Sequence, residues 1–129
     1  LMSKSGGTMT GAIAMGRHKV TGLGTPEADT DAATKGYVDG KRAAYTATLT
    51  TAWSGSAAPY TQTVAVPGVL ASDAPHVTPV YSTTLATALL QKEAWSKVSK
   101  AEAAADSITF TCFEEKPTAA IPIQIEVIR

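Results

Sequence analysis

Cysteine, aromatic side chains and net charge are all scarce in this chain, and each scarcity excludes a class of function. The 129 residues include one cysteine, Cys112. An intramolecular disulfide is therefore impossible, and one thiol cannot by itself build a structural zinc site. Eleven lysines and arginines balance eleven aspartates and glutamates, for a formal net charge of zero at pH 7. Proteins that hold nucleic acid or anionic membrane usually present a basic surface, so neither is an expected partner. Aromatics make up 6% and charged residues 17%, and the hydrophobic 44% rests heavily on alanine, so the expected core is modest. No apolar run approaches the ~20 residues of a membrane helix, and the first residues lack the apolar stretch of a signal peptide. No membrane insertion is expected, and synthesis in a cytosol is. Leu1 ahead of Met2 reads as the mark of a piece of a longer chain or of a cloning remnant.

Histidine is nearly absent too, which bears on catalysis. Of the two, His18 lies between Arg17 and Lys19 in a glycine-rich stretch, and His76 follows Pro75. Neither has the rigid setting that a general base and its orienting partner require. Three copies of His18 around an axis could hold a metal, but a solvated basic turn is the reading adopted. The adjacent acids Glu114-Glu115 and the pair Asp29/Asp31 do not face one another across a cleft, as glycoside hydrolysis needs, and read as solvated turns. Helix capping explains Asp29-Thr30-Asp31 without a cation. Gly22-Leu23-Gly24 runs into Thr25-Pro26 rather than into the start of a phosphate-binding helix. Cys112 falls mid-strand and reads as a small buried hydrophobe. The chain is read as no enzyme, with no catalytic residue, no cofactor and no metal.

What is present divides into two compositions near residue 44. Six of the ten glycines, at positions 6, 7, 11, 16, 22 and 24, lie between Ser5 and Gly24. Met9, Ile13 and Met15 share one parity there, so an extended backbone points them one way. Thr10-Gly11 and Thr21-Gly22, each with a hydrophobe close behind, echo at a period of eleven. Such a segment cannot bury itself: glycine raises the ordering entropy, and a lone extended strand has no second layer. Disorder and intertwining with identical copies both remain open. Beyond Pro26, Thr30 or Asp31 is a good helix N-cap, with acids ahead and Lys41-Arg42 behind as the helix dipole favours. This predicts a short helix over 31–43 with a thin stripe of Ala33, Tyr37 and Val38, weakened by Gly36 and Gly40.

From Tyr45 onward the pattern is that of strands. Tyr45, Ala47 and Leu49 alternate with small polar residues, as do Tyr60, Gln62, Val64 and Val66 before Pro67-Gly68. His76–Ser82 contains Pro79 and suits a sheet edge. Ile108, Phe110 and Cys112 share a parity, and Ile121, Ile123, Ile125 and Val127 mark the clearest strand. Leu85, Leu89 and Leu90 at helical spacing predict a short helix over 83–93 crossing the body. Trp95–Ala101 can continue that helix or form a hairpin strand with 107–113 through Asp106, and the strand is preferred. Trp95 is placed in the core. Among the remaining aromatics, Trp53 beside Ser54-Gly55-Ser56 and Tyr60 after Pro59 flank a polar loop, where they could stack on a sugar ring or pack at a protein interface, and a core or subunit-contact role is preferred for each. Trp53, Tyr60, Tyr81 and His76 are the candidate ligand-binding residues.

Three blocks in unbroken order resemble the stem module of bacteriophage tail fibre proteins: Ser3-Lys4-Ser5-Gly6-Gly7-Thr8-Met9-Thr10-Gly11-Ala12-Ile13-Ala14-Met15-Gly16, then Lys19-Val20-Thr21-Gly22-Leu23-Gly24-Thr25-Pro26, then Asp31-Ala32-Ala33-Thr34-Lys35-Gly36-Tyr37-Val38-Asp39. Arg17-His18 stands where small polar residues are common. The remainder is similar to carboxyl-terminal domains of phage and prophage tail proteins of gut Gram-positive bacteria, through Tyr60–Gly68, Ala94-Trp95-Ser96-Lys97, Glu115-Lys116-Pro117-Thr118 and Ile121-Pro122-Ile123-Gln124. The resemblance implies a homotrimer in which Met9, Ile13, Met15, Val20 and Leu23 of three chains bury one another and the Tyr37-Val38 helix joins a three-helix cluster. It also implies a knob that touches a bacterial surface glycan or surface protein, with other tail or baseplate proteins held through a missing amino-terminal part. The expected fold is mainly β, with a fibrous intertwined trimeric stem and short helix over 1–43 and an antiparallel β-sandwich knob over 44–129. The expected function is host attachment at the tip of a virion's tail fibre. The alternative is a connector or trimerisation cap without receptor binding.

Overall fold

The computed structural model describes residues 5–129. The elements in chain order are α1 (Lys35–Asp39), β1 (Arg42–Leu49), β2 (Tyr60–Ala65), β3 (His76–Pro79), α2 (Leu85–Ser96), β4 (Lys100–Ala104), β5 (Ser107–Cys112) and β6 (Ile121–Ile128). The chain divides into two units, 1–34 and 35–129. The fold is mainly β: the strands form two three-stranded antiparallel sheets, ordered β1-β6-β3 and β2-β5-β4.

The isoleucine strand anchors the first sheet. β6 pairs with β1 over eight residues, Arg42 opposite Ile128 through Leu49 opposite Ile121, and with β3 from His76 opposite Glu126 to Pro79 opposite Ile123. Its burial alternates, with Ile121, Ile123, Ile125 and Val127 at most 1% exposed. That is the period-2 pattern of a strand with one face on a core. Ile108, Phe110 and Cys112 of β5 are fully buried in the same cluster, joined by Leu49, Trp53, Val66, Val69 and Ala94. Both sheets thus feed one core. Pro79 lies on edge strand β3, where a missing N–H costs no ladder bond.

Two expectations need correction. The predicted 31–43 helix is reduced to the five residues of α1, because Arg42, Ala43 and Ala44 join β1 and pair with Ile128, Val127 and Glu126. Asp31 does not cap it: its carboxylate accepts the amides of Glu27 at 2.9 Å and Ala28 at 3.0 Å, closing a turn that ends before the helix. Those two bonds hold its carboxyl below the usual range. The division between the two units falls at Thr34/Lys35, so α1 is grouped with the strands. The second correction concerns Trp95 and Ser96, which continue α2; the strand begins only at Lys100. The Lys97 amide bonds back to the Ala94 and Trp95 carbonyls to end the helix, and the Trp95 side chain packs half-buried against the core. The β4–β5 hairpin through Asp106 is present, with Asp106 at φ +59° in a tight turn between Ala104 and Ser107.

Arg129 ties the far end of β6 to the loop after β2. Its Nε donates to Asp73 Oδ1 at 3.0 Å, and its Nη2 donates to Asp73 Oδ2 at 2.9 Å, to the Gly68 carbonyl at 3.0 Å and to Tyr45 Oη at 3.2 Å. Gly68 sits at φ +98° with Tyr45 Oη 3.2 Å from where a Cβ would stand, so alanine there is both strained and crowded. The Asp73 side chain is 2% exposed, and the guanidinium bonds together with the Leu70 amide hold its carboxyl below the usual carboxylate range.

A group whose folded pKa is depressed contributes stability above its unfolded pKa and loses it as pH falls through the folded value. Acid unfolding below about pH 4 should therefore draw on Asp73. Asp73→Asn is expected to lower the melting temperature at pH 7 and to flatten the acid limb of a Tm-against-pH profile; an unchanged limb would refute this role. In the core, Ile125→Ala should lower the unfolding free energy by about 2–5 kcal/mol in urea titrations.

Candidate functional site

The four residues expected to bind a ligand do not converge. Trp53 is 8% exposed and belongs to the core cluster, and its Nε1 is buried without a hydrogen-bond partner among the described residues. Its ring is packed in the core. The loop carrying it is fixed by Gln62, whose amide bonds the Thr50 N–H at 2.8 Å, the Thr50 carbonyl at 3.0 Å and the Ala52 carbonyl at 3.3 Å. Ser54 and Thr61 add a reciprocal backbone pair at 2.8 and 3.1 Å. Tyr60 is half-buried, with Lys116 Nζ 5.5 Å from its ring centroid.

The other two lie at the first sheet. His76 is exposed on β3 opposite Glu126, which pairs with Arg42 at 2.8 Å. Tyr81 is 43% exposed just past β3. Trp53 and Tyr60 thus accompany sheet β2-β5-β4, while His76 and Tyr81 accompany β1-β6-β3.

A recess lies elsewhere. A cleft of about 560 Å³ opens between the carboxyl end of α2 and the segment after β5, lined by Glu93, Ser96, Lys97, Val98, Ser99, Phe113, Glu114 and Glu115. Its walls follow from local bonding. The Ser99 amide donates to the Thr111 carbonyl at 2.8 Å, and Ser99 Oγ accepts the Phe113 amide at 3.0 Å, so the helix exit is stitched to the strand end. Lys97 is largely covered and reaches Glu115 at 3.6 Å. Phe113, the residue after inward-facing Cys112, stands 55% exposed.

An open phenyl ring beside two serine hydroxyls and carboxylates combines an apolar face with hydrogen-bonding groups. That combination suits a polyhydroxylated ligand, whose apolar C–H faces stack and whose hydroxyls donate to carboxylates. Glu114 and Glu115, expected on a solvated turn, form one wall of this cleft. The sequence carried a usable signal: the parity that buries Ile108, Phe110 and Cys112 leaves Phe113 outside the core. What it lacked was the pairing that brings residues 93–99 alongside. Among the described residues, no group of three or more histidine, cysteine, aspartate or glutamate side chains could hold a metal ion.

Cys112 is fully buried beneath this region, and burial pushes its thiol up, with nearby Lys97 opposing weakly. The thiolate is the reactive form. A disulfide reagent at pH 8 should leave the native protein unmodified and label one thiol once the chain is unfolded; rapid native labelling would contradict the assigned burial. Comparison with protein-family models, with curated proteins and with solved structures returned no match.

Proposed function

We propose that the chain is the stem and knob of a trimeric bacteriophage tail fibre, acting in host attachment at the fibre tip of the virion. One observation carries this reading. From Ser5 to Arg42 no residue is buried: Met9 is 51% exposed, Ile13 56%, Met15 42%, Val20 59%, Leu23 36%, Tyr37 36% and Val38 59%. A segment that presents every large apolar side chain to water has no interior of its own. Each such side chain gains roughly 1.5–3 kcal/mol when covered, and in this reading identical neighbouring chains supply the cover. The Met15–His18 turn, closed by the His18 amide on the Met15 carbonyl at 3.0 Å with Gly16 at φ +57° and Arg17 at φ +68°, gives the extended segment a defined reversal.

In this reading the two sheets sharing one core form a β-sandwich knob, and three knobs act together. Tethered copies raise the effective concentration of shallow sites, so weak single contacts suffice. The ligand class is a glycan of the bacterial surface, met at the cleft under Phe113, with a surface protein as the alternative receptor. The connector reading draws its support from Trp53, which serves the core rather than a surface.

Sedimentation of the full chain is expected to report a trimer, and Ile13→Ser with Val20→Ser to reduce it to monomers. Retention on host cells or purified cell wall should fall at least tenfold for Phe113→Ala, whose exposed ring makes its loss nearly neutral for stability, within about 0.5 kcal/mol. Trp53→Ala is unsuited to this test, since it removes a core side chain. Normal trimers without retention would replace attachment by the connector role.

A further inference from the structure

Helix α2 carries its leucines on the outside. The side turned toward the core consists of Gln91 at 8% and Ala94 at 3% exposure, with Ala88 and Trp95 half-buried. Leu85 is 72% exposed, Leu89 56% and Leu90 59%. This inverts the usual amphipathic arrangement, in which the apolar stripe faces the body. Gln91 explains the orientation in part: its Oε1 accepts the Ser82 amide at 2.8 Å and anchors the approach from β3.

The charges flanking the stripe are ordered. At about 100° per residue, Leu85 and Leu89 lie some 40° apart, Lys92 falls about 20° to one side and Glu93 about 40° to the other. Both are exposed, and neither has an ion-pair partner among the described residues. If three such helices stand parallel around an axis, the Lys92 flank of each meets the Glu93 flank of the next at the same height. Neither an antiparallel pair nor an uncharged partner would use this arrangement.

The size of the patch also bears on its occupant. Leu85 and Leu89, both more than half exposed, give an apolar surface on the order of 200 Å², no larger than a monomer ordinarily carries. A stable association needs roughly 800 Å² per partner, so this face alone cannot recruit a free protein. It can be covered by a neighbour already held nearby. We infer that α2 packs through Leu85 and Leu89 against α2 of the other copies of this chain, as a second, parallel three-helix contact in the knob. The inference rests on the trimeric reading above but concerns different residues.

The test uses the full chain. Sedimentation equilibrium and far-UV circular dichroism are measured for the wild type, for Leu85→Ser with Leu89→Ser, for Lys92→Glu, for the swap Lys92→Glu with Glu93→Lys, and for the stem variant Ile13→Ser with Val20→Ser. The leucine variant should retain the circular dichroism spectrum and weaken trimer association at least a hundredfold. Lys92→Glu should weaken it roughly tenfold across three symmetric contacts, and the swap should restore it. Association unchanged by the leucine variant overturns the helix contact, and if the stem variant then dissociates, the trimeric stem stands without it. A weakened leucine variant beside an unaffected stem variant supports the helix contact and removes the stem from assembly. Failure of the swap to restore association overturns the parallel arrangement. A wild-type chain monomeric at 100 µM overturns both.

Discussion

The carboxyl-terminal unit depends on one strand. β6 is the central member of its sheet, with one face directed wholly into the core, and it supplies four of the twelve buried hydrophobic side chains there. Because the side-chain period is two, a one-residue slip of β6 would exchange Ile121, Ile123, Ile125 and Val127 for Pro122, Gln124, Glu126 and Ile128. The register with β1 is therefore specified by burial, with the Arg42–Glu126 pair adding little at the surface. The Arg129–Asp73 pair is different in kind, since its carboxylate is nearly inaccessible and its guanidinium also satisfies a tyrosine and a carbonyl. It locks the strand's end to the loop after β2, so the two sheets are joined by a polar fastening as well as by the core.

The strands were legible because each has one buried face. Alternation marked β1, β2, β5 and β6 within a few residues, and Pro79 placed β3 at an edge. The helices were less legible. The spacing of Leu85, Leu89 and Leu90 located α2 but pointed the wrong way about its environment, since it is Gln91 and Ala94 that face inward; nothing in one chain's periodicity tells a stripe facing its own core from one facing a neighbour. The helix over 31–43 shrank because capping and charge order are weak local terms, and pairing with β6 is a long-range one that the sequence does not display.

The candidate site was less legible still. Aromatic residues beside turns were sensible surface candidates, yet Trp53 is drawn into the core by a loop that Gln62 pins. The cleft under Phe113 joins a helix terminus to a strand end fourteen residues away, through bonds made by Ser99. Pairings of that kind depend on how β4 and β5 fold back on one another, which residue types alone leave open.

The order of the β1–β6 ladder has a mechanical consequence. A pull transmitted along the backbone from the glycine-rich segment enters the β unit through α1 and meets the ladder at its Arg42–Ile128 end, beside the bond from the Arg129 amide to the Lys41 carbonyl. Rupture would start at that corner, next to the guanidinium fastening, with the eight-residue ladder behind it opening pair by pair. A tether attached there would yield by peeling one reinforced edge before the hydrophobic interior is disturbed.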